Sequence, residues 1–195
     1  MKRPLKYFLA AVIALVVGGA IGYFAPLNLP ELIVRSASVK NGPWFTNLTT
    51  GSTEANIYTR AWIAKHALLA LAKSETLYYK AYSDDVGEPL IGACDYRIEG
   101  KALDTRWWSI TAYGADDFLI PNEENRYSYS GSEVSSYADG RFRIYLSSMP
   151  KDGNWLPTGN EERFSLTLRL YNPGQTIYEN PSTAELPHII KEGCK

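Results

Sequence analysis

Histidine and cysteine are nearly missing from this sequence: its 195 residues contain only His66, His188, Cys94 and Cys194. A protein-built transition-metal centre gathers several imidazole, thiolate and carboxylate ligands. Two histidines on separate segments do not supply them, so no metal and no cofactor is expected. A Ser-His-Asp or Cys-His device needs a base beside its nucleophile. No G-x-S-x-G elbow occurs, and neither histidine has a suggestive neighbour along the chain. Phosphate loops and dinucleotide glycine fingerprints are absent as well. An excess of charge of one sign is also lacking, because 20 basic and 21 acidic residues leave a net charge of -1. Such a chain presents no field that would recruit nucleic acid, and nucleic acid is excluded as an expected partner.

Aromatic rings, by contrast, are plentiful. There are 14 Tyr and 5 Trp, a composition that suits pleated sheets and also stacking against sugars or other flat ligands. Hydrophobic residues at 45% and charged residues at 21% are ordinary globular usage. The length has room for one domain and an appendage.

The appendage is N-terminal. From Tyr7 to Ala25 the chain runs for 19 residues without a charge, and at about 1.5 Å per helical residue this nearly spans a hydrocarbon core roughly 30 Å thick. Lys2, Arg3 and Lys6 precede the run, whereas the first 14 residues after it carry only Glu31 and Arg35. The positive-inside rule then keeps the N-terminus in the cytoplasm and exports the rest. A cleaved signal peptide has a shorter apolar core and small residues at its cleavage site. Here Gly22-Tyr23-Phe24-Ala25-Pro26 places bulky rings there, which favours an uncleaved signal anchor.

Three segments follow from this reading: residues 1–27 as a transmembrane anchor, 28–53 as linker and strap, and 54–195 as a single β-rich extracytoplasmic domain. Pro26, Pro30, Gly42, Pro43 and Gly51 mark the linker, with Trp44 and Phe45 pinning the strap. From Asn56 to Lys73, Ile57, Ala61, Ala64, Leu68, Leu71 and Ala72 recur at helical steps behind Asn56 as N-cap, predicting one amphipathic helix that contains His66. Thereafter the period is two. Leu77 to Ser83, Leu90 to Glu99, Arg106 to Tyr113 and Tyr127 to Ser130 read as strands. In the later strands Phe142, Ile144 and Leu146 alternate with Arg141, Arg143 and Tyr145, and Phe164, Leu166, Leu168 and Leu170 alternate with Arg163, Ser165, Thr167, Arg169 and Tyr171. Turn sequences such as Asp139-Gly140 and Asp152-Gly153 separate them. The expected fold is mainly β with one amphipathic helix, an antiparallel β-sandwich or jelly-roll-like domain behind an N-terminal transmembrane helix. The proline-bearing tail from Asn172 should be extended and add no central strand.

Several motifs in fixed order carry a family likeness. They are Tyr58-Thr59-Arg60-Ala61, Arg106-Trp107-Trp108-Ser109-Ile110-Thr111-Ala112-Tyr113, Pro121-Asn122 with Asn125-Arg126-Tyr127-Ser128, Asp139-Gly140, Asn154-Trp155-Leu156-Pro157 and Leu168-Arg169-Leu170-Tyr171-Asn172-Pro173. Together they resemble domain of unknown function 1214, a bacterial envelope family, over about residues 42 to 194. Ile57 departs from a pattern that often has Pro before Tyr-Thr-Arg-Ala. The resemblance implies a sandwich or jelly-roll-like fold and an envelope address but no catalytic residues. The expected location is the bacterial inner (cytoplasmic) membrane, single pass, with a periplasmic C-terminal domain and the bilayer as partner through residues 7 to 25.

Candidate ligand-binding residues are polar or aromatic side chains on strands or their edges: Arg60, Arg106, Arg126, Asn154, Trp155, Arg169 and Tyr171. Guanidinium groups on the sheet face away from the core suit a carboxylate or phosphate. They equally suit salt bridges to Asp95 or Glu99, the favoured reading of the two. Trp107 and Trp108 must face opposite sides of their strand. Catalytic residues are unknown. A hydrolase or isomerase of envelope material would draw on Asp84, Asp85, Glu88, Asp95, Asp116 or Asp117, most of which sit in turns. The leading expectation is a non-enzymatic domain binding an envelope glycan, lipid or protein, of unknown oligomeric state. A purely structural subunit is a third class. Cys94 and Cys194 form a bridge in an oxidising compartment, or Cys94 is simply a small core residue alternating with Tyr96 and Ile98.

Overall fold

A computed structural model of the chain describes residues 3–66 and 69–194, so Lys2 and Leu68, both used in the sequence reading, lie outside the described residues. The uncharged run becomes part of one helix, α1 (Arg3–Ser36), of which Pro4–Ser36 is long and apolar enough to cross a membrane. At 34 residues it is longer than a bilayer core requires. The prolines at 26 and 30 do not end it, so the expected linker begins as helix. Its last turns have tertiary partners instead of water: Pro30 and Val34 are buried, and Lys65 Nζ donates to the Leu27 carbonyl at 3.3 Å. Packing outweighs the local proline signal here.

The strap is a hairpin of β1 (Val39–Asn41) and β2 (Trp44–Thr46) turning at Gly42, whose φ of 60° is open to glycine. Trp44 is buried, and its indole donates to the Pro187 carbonyl at 2.7 Å. Next, α2 (Ile57–Lys65) starts where expected, with Asn56 Oδ1 accepting from the Thr59 amide at 2.9 Å. It ends eight residues earlier than the sequence period suggests, at Lys65 rather than Lys73. The Ala72 carbonyl accepts from Glu75 and Thr76 in a turn, and the Leu71 amide donates to Tyr78 Oη, so the segment before the next strand is tied down without helix.

The strands that follow are β3 (Thr76–Ala81), β4 (Cys94–Gly100), β5 (Thr105–Gly114), β6 (Ser128–Ser130), β7 (Phe142–Ser147), β8 (Trp155–Pro157) and β9 (Phe164–Pro173), then helix α3 (Gln175–Glu179) and β10 (His188–Cys194). One sheet runs β1-β2-β3-β9-β5-β6 and the other β10-β4-β7-β8. Every pairing is antiparallel except β7 with β8, so the second sheet is mixed. The proline-rich tail adds no central strand, as expected; it supplies an edge strand, β10, and a short helix.

The two-residue rhythm decides what faces the core. Leu166, Leu168 and Leu170 of β9, Leu77 and Tyr79 of β3, and Trp108 and Ile110 of β5 join Tyr96, Ile98, Ile144, Leu146 and Ile189 of the second sheet in one buried cluster. Trp108 stacks on Phe142 with ring centroids 4.8 Å apart, and Tyr96 meets Phe164 edge-on at 5.8 Å. A buried leucine in such a cluster contributes about 2–5 kcal/mol relative to alanine.

Cys94 and Cys194 sit opposite each other in the β4–β10 register and are joined by a disulfide. The Cys94 side chain is also fully buried, so bridge and core membership coincide. The crosslink closes 100 residues of chain and anchors the C-terminal edge strand. Cys194→Ser should lower the denaturant midpoint, with a loss of up to ~4.7 kcal/mol by the chain-entropy relation. Denaturation of the unreduced protein with thiol labelling provides the check: no label should enter the wild type until reductant is added.

Candidate functional site

The face of β3, β9 and β5 turned away from the core is polar, and much of it is not open to water. The register aligns Tyr78 with Arg169 and Ser109, and Lys80 with Thr167 and Thr111. Lys80, Thr111, Ser165 and Thr167 are all buried on this face. The cover comes from the C-terminal end of α2 and the loop after β5, which leave a cleft of about 410 Å³ lined by Lys65, His66, Tyr78, Lys80, Tyr113, Asp116, Asp117, Thr167, Arg169 and Tyr171, with Leu69, Phe118 and Leu119 at its edge. That volume lies within the range of small-molecule sites.

Lys80 is held by Asp117, Nζ to Oδ1 at 2.6 Å, and reaches Tyr82 Oη at 3.2 Å. A buried ammonium without such a partner would be strongly unfavourable. Asp117 sits at φ 63°, a conformation Asp tolerates better than most residues, which turns its carboxylate under the α2 end. Its second oxygen lies 3.4 Å from His66 Nε2. His66 caps α2 and packs against Trp62 with the rings tilted and their centroids 4.3 Å apart. Nδ1 lies 2.7 Å from the Trp62 carbonyl; a carbonyl only accepts, so Nδ1 carries the hydrogen. Burial holds the His66 imidazole below its ordinary range, against opposing pulls from the Trp62 carbonyl, Asp117 and Glu31 and alongside the like charge of Lys80.

Arg169 differs from Arg97 and Arg143, the strand arginines that pair with carboxylates. Its guanidinium donates to Thr111 Oγ1 at 3.1 Å and Tyr113 Oη at 2.7 Å, and no carboxylate pairs with it among the described residues. The salt bridges expected with Asp95 or Glu99 are made by other residues: Glu99 pairs with Arg97 and Arg143, and Asp95 with Lys151. Thr167 Oγ1, buried on the cleft floor, has no hydrogen-bond partner. Three cationic side chains, Lys65, Lys80 and Arg169, thus face two acids, Asp116 and Asp117, one of which is already taken by Lys80.

The model of the family described as "Protein of unknown function (DUF1214)" matches residues 75–175. The chain belongs to the DUF1214 family. The cleft floor, from Tyr78 and Lys80 to Arg169 and Tyr171, lies wholly inside the DUF1214 segment, while Lys65 and His66 on α2 lie before it. Among solved structures, the VPA0106 protein of Vibrio parahaemolyticus is similar at 27% identity and a TM-score of 0.59, over 71% of this chain and 36% of that one. An uncharacterized protein from Burkholderia cenocepacia is similar at 20% identity and a TM-score of 0.44, over 60% of this chain and 29% of its own. This DUF1214 chain therefore spans about a third of the length of the Vibrio protein it matches. No curated protein matches it.

Of the seven residues singled out in the sequence, only Arg169 and Tyr171 meet in the cleft. Trp107 packs edge-on against Tyr171 at 5.2 Å and is part-exposed, while its neighbour Trp108 is core, as opposite faces require. Arg60 fastens the loop before α2 by donating to the Ala55 and Thr53 carbonyls. Arg106 is exposed at the start of β5, outside the cleft lining. Arg126 lies over Tyr129 and 3.7 Å from Glu133. Asn154 and Trp155 are on the other sheet, where Asn154 clamps the Ser135 amide and carbonyl and the Arg143 carbonyl, and Trp155 donates to the Ser147 carbonyl.

Both histidines have aspartate neighbours that sequence order hid. His188 Nδ1 lies 2.7 Å from Asp85 Oδ2, as His66 lies near Asp117. Lys80 was also missed; its one available signal was a lone lysine alternating with Tyr78 in an otherwise apolar strand. Among the candidate acids, Asp84 accepts from the Val86 and Glu88 amides, Asp85 meets the His188 ring, Asp95 pairs with Lys151, and Asp117 is held by Lys80. Asp116 accepts from the Phe118 amide in the turn.

Because the folded imidazole of His66 titrates below the ordinary value of about 6.5, the unfolded chain takes up the proton first as pH falls. The associated stability is fully present above that pH and is lost as pH drops toward the folded value. Unfolding midpoints taken from about pH 7.5 down to about pH 5.5 should fall more steeply for the wild type than for His66→Gln. Asn154→Ala should destabilise by about 1–3 kcal/mol, the effect of stranding buried backbone groups, while leaving the cleft intact; denaturant unfolding measures the loss.

Proposed function

We propose that this chain is a membrane-anchored, extracytoplasmic sandwich domain that binds an anionic group of an envelope component in the cleft of its larger sheet. The observation that carries this reading is Arg169: a guanidinium inside a concavity, preorganised by two hydroxyl acceptors and free of a carboxylate among the described residues. Such a fork presents paired donors to a carboxylate or phosphate. Lys65 adds positive charge beside it. Tyr78, Tyr113 and Tyr171 supply flat surface for the remainder of a ligand.

Anchoring in the inner membrane with the domain in the periplasm is supported by the exposed apolar length of α1, by the basic residues ahead of it, and by the Cys94–Cys194 bridge, which suits an oxidising compartment. A carboxylate-dependent hydrolase or isomerase is the less supported alternative, since the candidate acids described above are engaged in turns or ion pairs.

Affinity capture of envelope components on the full chain in mild detergent tests the site. Arg169→Ala should reduce capture about tenfold, the worth of one charged hydrogen-bonding partner, while Trp155→Ala, on the opposite sheet, should retain it. Equal capture by wild type and Arg169→Ala would remove the cleft as the binding site.

A further inference from the structure

The cleft lies beside the place where α1 leaves its apolar stretch. Lys65, on the cleft wall, donates to the Leu27 carbonyl at 3.3 Å, and Leu27 is only two residues past Ala25, the end of the uncharged run. Two residues of helix rise about 3 Å. With α1 in a bilayer, Lys65 is therefore held at the level of the lipid headgroups. A second recess of about 340 Å³ shares Lys65, His66, Asp116 and Asp117 with the cleft and extends to Glu31 of α1, so the concavity is continuous toward the anchor.

The cleft edge is also unlike its floor. Leu69 is 98% exposed, Phe118 71% and Leu119 43%, and all three line the same cleft. Single exposed apolar side chains are normal on a soluble surface, but three on one rim next to a membrane anchor form a surface suited to the interface between headgroups and acyl chains. Below them lie Arg169, Lys80 and the buried hydroxyl of Thr167, which has no hydrogen-bond partner. Apolar edge, cationic floor and headgroup-level position together match an anionic amphiphile.

We infer that the cleft takes the phosphate headgroup of a lipid from the leaflet that α1 enters, with Leu69, Phe118 and Leu119 seated against its acyl chains. This rests on the anion-binding reading and on the anchoring of α1 proposed above, and it assigns the ligand class. The Arg169 guanidinium and Lys65 ammonium donate to phosphate oxygens, while Lys80 remains paired with Asp117 and supplies its charge at short range. The tails stay in the membrane, so the cavity need hold only the headgroup.

Native mass spectrometry of the full chain released from dodecyl maltoside micelles distinguishes the sources of phosphate. The probes are dioctanoyl phosphatidylglycerol and glycerophosphoglycerol, the latter being the same phosphodiester headgroup without tails. The expected result is a one-to-one lipid adduct, at least about tenfold stronger than the glycerophosphoglycerol adduct. It should weaken about tenfold in Arg169→Gln and also weaken in the surface variants Lys65→Gln and Leu69→Ser with Phe118→Ser, where exposed positions leave folding intact. Equal binding of glycerophosphoglycerol and lipid, with both lost in Arg169→Gln, overturns the lipid assignment and leaves the anion cleft standing. Lipid binding untouched by Arg169→Gln, or no binding of either probe, overturns both.

Discussion

The central strand β9 is the constraint on which the rest depends. It is hydrogen-bonded on both sides, to β3 and β5, and its two faces have opposite tasks. Phe164, Leu166, Leu168 and Leu170 close the core against the smaller sheet. Ser165, Thr167, Arg169 and Tyr171 then have no choice of face, since successive side chains alternate. A one-residue slip would send the guanidinium of Arg169 into the core and the leucines to the cleft, so the register that secures the fold also places the site.

Covering the polar face brings charge into a partly dry environment. Lys80 is nearly as buried as a core residue, and its ammonium is tolerated because Asp117 is held against it by a loop conformation that few other side chains adopt. His66 shares that carboxylate and stays neutral more readily than an exposed imidazole. The result is a preformed wall in which Lys80 is paired with Asp117 and His66 is held by the Trp62 carbonyl, while Arg169 is oriented by hydroxyls alone. Oriented donors without a charge partner bind an incoming anion without first having to break an ion pair.

Much of the fold was legible locally. The apolar run, the N-cap at Asn56, the opposite faces of Trp107 and Trp108, and the alternation in β7 and β9 all appear as expected, because each depends on residues within a few positions of one another. The departures have non-local causes. Helix α1 runs through Pro26 and Pro30 because Val34 and Leu27 find partners on the β domain. The repeat after His66 gives way to a turn closed on the Ala72 carbonyl; the tail, which was expected to add no central strand, does pair at an edge, where β4 offers β10 a ladder and a disulfide. Of the candidate site residues, Arg169 and Tyr171 share a face by period alone, whereas Asn154 and Trp155 went to the other sheet when β8 paired in parallel with β7.

The sequence by itself determined the apolar helix, the two-residue rhythm of the strands and the identity of the side chains on each strand face, since all of these follow from the covalent order and the pitch of the backbone. Which strands became neighbours, what covered the polar face, and that Lys80, Asp117 and His66 would meet were decided only by the tertiary structure. Those contacts join segments far apart along the chain, and their formation depends on closing many loops at once around a common core, a free-energy balance that no short window of residues contains.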